Sequence, residues 1–155
     1  MTPWPIADVV PHAGAMILLD SIDAVESERI VCTRTIEPGC LFVDDDDGMP
    51  SWMGVELMAQ AIAAWDGCCA HVEQRPVRLG FLLGTRHYAC NVDTFPVGTC
   101  LRVEAKHEFS DAQGMGVFHC RIEGPGICAE ARLNVFSPPD AHAFFRSNSK
   151  ETPHG

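Results

Sequence analysis

The spacing of apolar residues changes along the chain and marks its elements. Residues 15–25 (Ala-Met-Ile-Leu-Leu-Asp-Ser-Ile-Asp-Ala-Val) and 29–36 (Arg-Ile-Val-Cys-Thr-Arg-Thr-Ile) read as strands. Ser27-Glu28 joins them as a hairpin, and Pro38-Gly39 ends the second. No period survives from Cys40 to Pro50, a stretch that contains Asp44-Asp45-Asp46-Asp47-Gly48. From Ser51 to Trp65 the pattern turns helical, with apolar residues on all sides and Ser51 placed to cap the first turn. Asp66-Gly67 is one possible stop; continuation to Glu73 is the other.

Period two returns after Gln74-Arg75-Pro76. Arg78 to Cys90 reads as a strand broken at Gly80 and Gly84, and residues 101–109 alternate as a strand wet on one face. Turns at Phe95–Gly98, Gln113-Gly114 and Gly124-Pro125-Gly126 delimit two more strands, 117–123 and 128–136, so the last three form a meander. From Ser137 the chain becomes rich in Pro, Ser and His. The expected organisation is one domain over 1–137 and a tail over 138–155, partly disordered or carrying a short helix. Two strands, one long apolar helix and four strands predict an α+β fold, a curved antiparallel sheet wrapped around that helix. One sheet cannot cover a helix completely, so an oligomer that closes the remaining side is expected.

At 155 residues the chain is long enough for one self-sufficient core. A net charge of −10 argues against nucleic acid and anionic membrane surfaces as partners. That charge is uneven: residues 1–60 hold eleven acidic side chains against two arginines, whereas Arg75, Arg78, Arg86, Arg102 and Lys106 cluster in 75–106. Met-Thr-Pro-Trp-Pro-Ile opens with no signal-type segment, and the 51–65 run is too short to span a bilayer, so a cytoplasmic location is expected. The eight cysteines form no C-x-x-C pair, which points to free thiols without a disulfide framework or metal. Nothing implies a cofactor.

Glu56 and Gln60 are the only polar residues between Trp52 and Trp65. Four apart, they share one helix face, where the amide of Gln60 can orient the carboxylate. A carboxylate in such apolar surroundings is expected to be buried and is costly there without a partner, which marks Glu56 as a candidate catalytic group.

These residues also carry a resemblance. Pro-His-Ala-Gly-Ala-Met-Ile-Leu-Leu-Asp (11–20), Met49-Pro50 with Gly54-Val-Glu-Leu-Met-Ala-Gln-Ala61, Gly80-Phe-Leu-Leu-Gly84 and Phe95-Pro-x-x-Gly98 occur in the order seen in hotdog-fold 3-hydroxyacyl-acyl-carrier-protein dehydratases. Within them, Pro50-x-Trp52-x-Gly54-Val55-Glu56-x-Met58-Ala59-Gln60 is similar to the branch associated with aryl polyene biosynthesis. The resemblance implies a hotdog fold over roughly 8–137 and Glu56 as the helix carboxylate oriented by Gln60. It implies substrate contacts at Ser51, Trp52, Gly54 and Gly80, with Ser51 standing where a backbone N–H polarises the thioester carbonyl; Arg86 is a candidate contact for the carrier's phosphopantetheine or acidic helix, with a solvated strand end as the alternative. It further implies an acyl carrier protein as partner and a homodimer or a heterodimer with a paralogous subunit. The family's histidine does not carry over. Its position falls within Phe42–Asp45, and no His occurs between His12 and His71. His12 is the leading substitute, with a structural role as the alternative, and Asp44 and Asp45 stand nearest the vacated position. Three functions stay open: a dehydratase, a thioesterase using Glu56 alone, and a non-catalytic subunit of a heterodimeric dehydratase.

Overall fold

The computed structural model describes residues 4–12, 14–76 and 81–136, with the side chains of 81–83 excepted. The strands are β1 (Ser21–Glu26), β2 (Arg29–Thr35), β3 (Met49–Pro50), β4 (Phe81–Cys90), β5 (Thr94–Phe95), β6 (Cys100–Ser110), β7 (Met115–Gly124) and β8 (Ile127–Phe136). One helix, α1 (Gly54–Val72), follows a short 3-10 turn at Ser51–Met53. Six strands form a sheet ordered β1-β2-β6-β7-β8-β4, antiparallel throughout, while β3 and β5 pair separately. The expected α+β architecture, with a meander over β6–β8, is therefore present. The predicted 138–155 tail and the start of the 78–90 strand lie outside the described residues.

Small residues bring the helix close to the sheet. Cys32, Ala105, Cys120, Ala129 and Ala131 are buried on the strands, as are Leu57, Met58, Ala61, Ala64 and Cys68 on the helix. All eight cysteines are free, and burial pushes the Cys32 thiol up to about 12 and that of Cys68 up to about 11, leaving both neutral fillers at neutral pH. Gly67 does not end the helix. A Cβ there would lie 1.9 Å from the Val9 carbonyl oxygen, so glycine is needed where the N-terminal segment crosses α1.

Three local expectations need correction. Residues 17–20 are not a strand: the Leu18 N–H bonds the Gln60 side chain, and pairing with β2 as a strand starts at Ser21. Ser51 is not a helix cap, because the first turn is 3-10 and Met53, which has no side-chain cap bond, occupies the N-cap position. Nor is the helix buried all round. Val55, Glu56, Ala59 and Ala63 form a stripe that is only half-buried. No helix among the described residues is long and apolar enough to cross a membrane.

Candidate active site

The first turn of α1 faces a cavity of about 400 Å³ lined by Met16, Leu18, Phe42, Trp52, Met53, Val55, Glu56 and Gln60. Met16, Phe42 and Trp52 are exposed large hydrophobic residues, so the cavity has an apolar rim open to solvent. Phe42 takes a φ of 65°, an uncommon backbone state for a non-glycine residue, at the loop that supplies one wall. The same turn carries the positive end of the helix dipole.

Glu56 differs from its sequence expectation: its side chain is 43% exposed. The reason is rotational, since residues 57, 58 and 61 are buried in the core and leave 55 and 56 toward the cavity. Gln60, one turn on, is the buried member at 1% exposure. Its Oε1 accepts the Leu18 N–H at 2.8 Å, and its Nε2 donates to the Met16 carbonyl at 2.8 Å. The bond from Nε2 to Glu56 Oε1 is longer, 3.4 Å. Gln60 is therefore fixed first by the chain crossing above it and presents its remaining N–H to the carboxylate.

Among the described residues, His12 is the ionisable side chain paired with Glu56. Its Nε2 lies 3.8 Å from Glu56 Oε1, within ion-pair range but beyond a hydrogen bond. The Nδ1 atom of His12 is buried without a hydrogen-bond partner among the described residues. The imidazole stands beside the carboxylate, and its contacts among the described residues leave its tautomer unfixed.

The other candidates divide. Trp52 forms the rim of the cavity. Gly54 is buried, and a Cβ there would approach the Tyr88 hydroxyl to 2.3 Å, so glycine makes room for that ring. The Ser51 N–H donates to the Asp93 carbonyl at 2.9 Å, and the Ser51 carbonyl accepts from Tyr88. Both backbone groups of Ser51 are committed to protein, which corrects the expectation that its N–H is free to polarise a carbonyl. Arg86 is exposed on the edge strand β4 opposite Arg132 and does not line the cavity. Gly80 lies outside the described residues.

The acidic run folds on itself. Asp44 and Gly48 exchange backbone hydrogen bonds of 2.8 Å, and the Asp44 carboxylate accepts the N–H groups of Asp47 and Asp46, which hold it below the usual carboxylate range. Asp45 accepts from Gly39. Asp44 and Asp47 line a separate open pocket with Phe42, Val43, Gly48, Pro50 and Thr94. Trp65 lies away from the cavity, stacks on His107 at 5.0 Å and donates to the Glu26 carbonyl.

Sequence reasoning missed Tyr88 and Arg34. Tyr88 is the one tyrosine of the chain and ties β4 to the helix start. Burial pushes its phenol well up, so it serves as a neutral donor. Arg34 was detectable: it is the one charged residue in the inward series Ile30, Cys32, Arg34, Ile36.

The fold has counterparts among known proteins. The family model for ApeP-like proteins, described as ApeP dehydratase, matches residues 4–146. Among solved structures, the dehydratase heterocomplex ApeI:P from Xenorhabdus doucetiae is 28% identical with a TM-score of 0.82, over 94% of this chain and 98% of the other. Two more distant structures share the fold alone. The E. coli PaaI protein is 15% identical with a TM-score of 0.55, over 74% and 80% of the two chains. A mutant of the thioesterase SAV0944 from Staphylococcus aureus is 13% identical with a TM-score of 0.58, over 77% and 93%. The curated proteins gave no match. With a model that spans most of its length and the hotdog architecture of these neighbours, the chain belongs to the ApeP-like dehydratase family.

Proposed function

We propose that this protein removes water from 3-hydroxyacyl thioesters held on an acyl carrier protein, with Glu56 as a catalytic carboxylate. The observation that carries this reading is the placement of Glu56: half exposed at an apolar-rimmed cavity, steadied by Gln60, with His12 Nε2 at 3.8 Å. Elimination needs one group to take the α-proton and another to protonate the departing β-hydroxyl, as the Cα–H and Cβ–O bonds break and the alkene forms. A carboxylate and an imidazole side by side have the complementary chemistry for these two transfers. The helix dipole favours negative charge developing on the thioester oxygen. Phe42, Trp52 and Met16 suit an extended apolar or aromatic acyl chain, of the kind an aryl polyene precursor carries.

The working form in this reading is a pair with a paralogous hotdog subunit. The half-buried stripe Val55, Ala59, Ala63 and the exposed rim of the cavity leave the site incomplete on one side. The similar Xenorhabdus assembly is itself a dehydratase heterocomplex. A partner covering that stripe would exclude water from the cavity and could bring a second proton-transfer group to the family's vacated histidine position.

The test is to incubate the purified chain with a 3-hydroxyacyl-carrier thioester, alone and with a paralogous hotdog subunit, and follow the carrier by intact mass. Loss of one water, faster with the partner present, is the expected result. Release of the whole acyl group would assign a thioesterase, and no change in either mixture would leave an acyl-binding or structural subunit.

A further inference from the structure

We infer that Arg34 is a positioning residue for Glu56, acting through the Leu18 backbone and Gln60. This inference rests on the assignment of Glu56 above. Arg34 is 5% exposed on the inward face of β2. It forms no ion pair among the described residues, and its Nε and Nη2 atoms are buried there without hydrogen-bond partners. Its one acceptor among those residues is the Leu18 carbonyl, 2.8 Å from Nη1.

The contacts continue in one direction. Leu18 donates its N–H to Gln60 Oε1 at 2.8 Å, and Gln60 Nε2 reaches Glu56 Oε1 at 3.4 Å. The Leu18 carbonyl and N–H belong to adjacent peptide groups that meet at one Cα, so the Arg34 bond fixes the backbone of the residue that holds the Gln60 amide in place. The same Arg34 bond fixes the 16–18 segment, two residues of which line the cavity.

A purely structural role explains Arg34 poorly. A buried charge without a counter-ion loses its hydration, a cost that an apolar side chain of similar volume does not incur. Methionine has nearly that volume and the apolar stem, so it tests the two roles against each other.

The experiment compares Arg34→Met and Arg34→Lys with the native chain in the complex that shows water loss. Arg34→Met is expected to melt within a few degrees of the native protein, to lower kcat about tenfold and to leave KM within about twofold. Arg34→Lys, which keeps a cationic donor, is expected to recover part of kcat. The Gln60 side-chain amide resonances, recorded without substrate, are expected to move in Arg34→Met and return toward native in Arg34→Lys. That readout does not depend on catalysis by Glu56, so it separates failure of this inference from failure of the Glu56 assignment. Unmoved Gln60 resonances, or an unchanged kcat beside an active native complex, would overturn it. Unfolding of Arg34→Met would overturn it too, by making Arg34 a structural residue.

Discussion

Gln60 Oε1 accepts the backbone N–H of Leu18 at 2.8 Å, joining α1 to a segment 42 residues earlier in the chain. With the Met16 carbonyl bonded to Nε2, this one buried amide anchors the wall of the cavity to the helix that carries Glu56. Gln60→Leu keeps the volume and removes both bonds, leaving the Leu18 N–H without its acceptor. The expected cost is about 2 kcal/mol, read as a lower urea midpoint with an unchanged m-value. An unchanged midpoint would show that the segment is held by other contacts.

Gly67 and the Val9 carbonyl approach so closely that a Cβ would sit 1.9 Å from the oxygen. Both partners are backbone, so neither can rotate away. Gly67→Ala is expected to destabilise the fold by about 2 kcal/mol despite alanine's better helix propensity, because the N-terminal segment must lift from α1. Thermal melting checks this; a stabilised variant would mean that the crossing is looser than described.

Glu104 gives a pH signature away from the cavity. Burial alone would raise its carboxyl, but hydrogen bonds from Arg29 Nε at 2.8 Å and Arg102 Nη2 at 3.3 Å hold it below the ordinary value. A carboxylate depressed on folding adds stability above its unfolded pKa, and that stability fades as pH falls through the folded value. Glu104→Gln is therefore expected to lose about 1 kcal/mol near neutral pH. The gap between variant and native protein should close in acid, below an ordinary carboxyl pKa of roughly 4.5. Urea midpoints across that range provide the measurement; a gap independent of pH would exclude the ion pair as its source.

The sequence made the helix and the meander legible because their signals are local. Residues 101–109 alternate at period two, and β6 follows that alternation with Leu101, Val103 and Ala105 inside. The helical run from Gly54 likewise needed no distant partner to be recognised. What stayed hidden depended on contacts far apart in sequence. Residues 17–20 look like strand, yet the Leu18 N–H finds a side chain on α1. Ser51 has the chemistry of a cap, but Tyr88 and Asp93 claim its backbone and the first turn tightens. The apolar surroundings of Glu56 suggested full burial, since local sequence does not reveal which side of the helix the sheet leaves open. Glu56, Gln60 and His12 could be named from their residue types and order. Their spacing of 3.4 and 3.8 Å, and the Arg34 anchor beneath them, required the fold.

In the proposed dehydration, the Glu56 carboxylate carries out proton transfer. Its most direct test is the rate of water loss from a carrier-bound 3-hydroxyacyl thioester, measured by intact mass for native protein and Glu56→Gln with the same partner. Glutamine keeps the shape and the contact with Gln60 but cannot exchange a proton at this position, so the rate is expected to fall by about 100-fold or more while the melting temperature stays close to native. Water loss at an undiminished rate in Glu56→Gln would contradict the account.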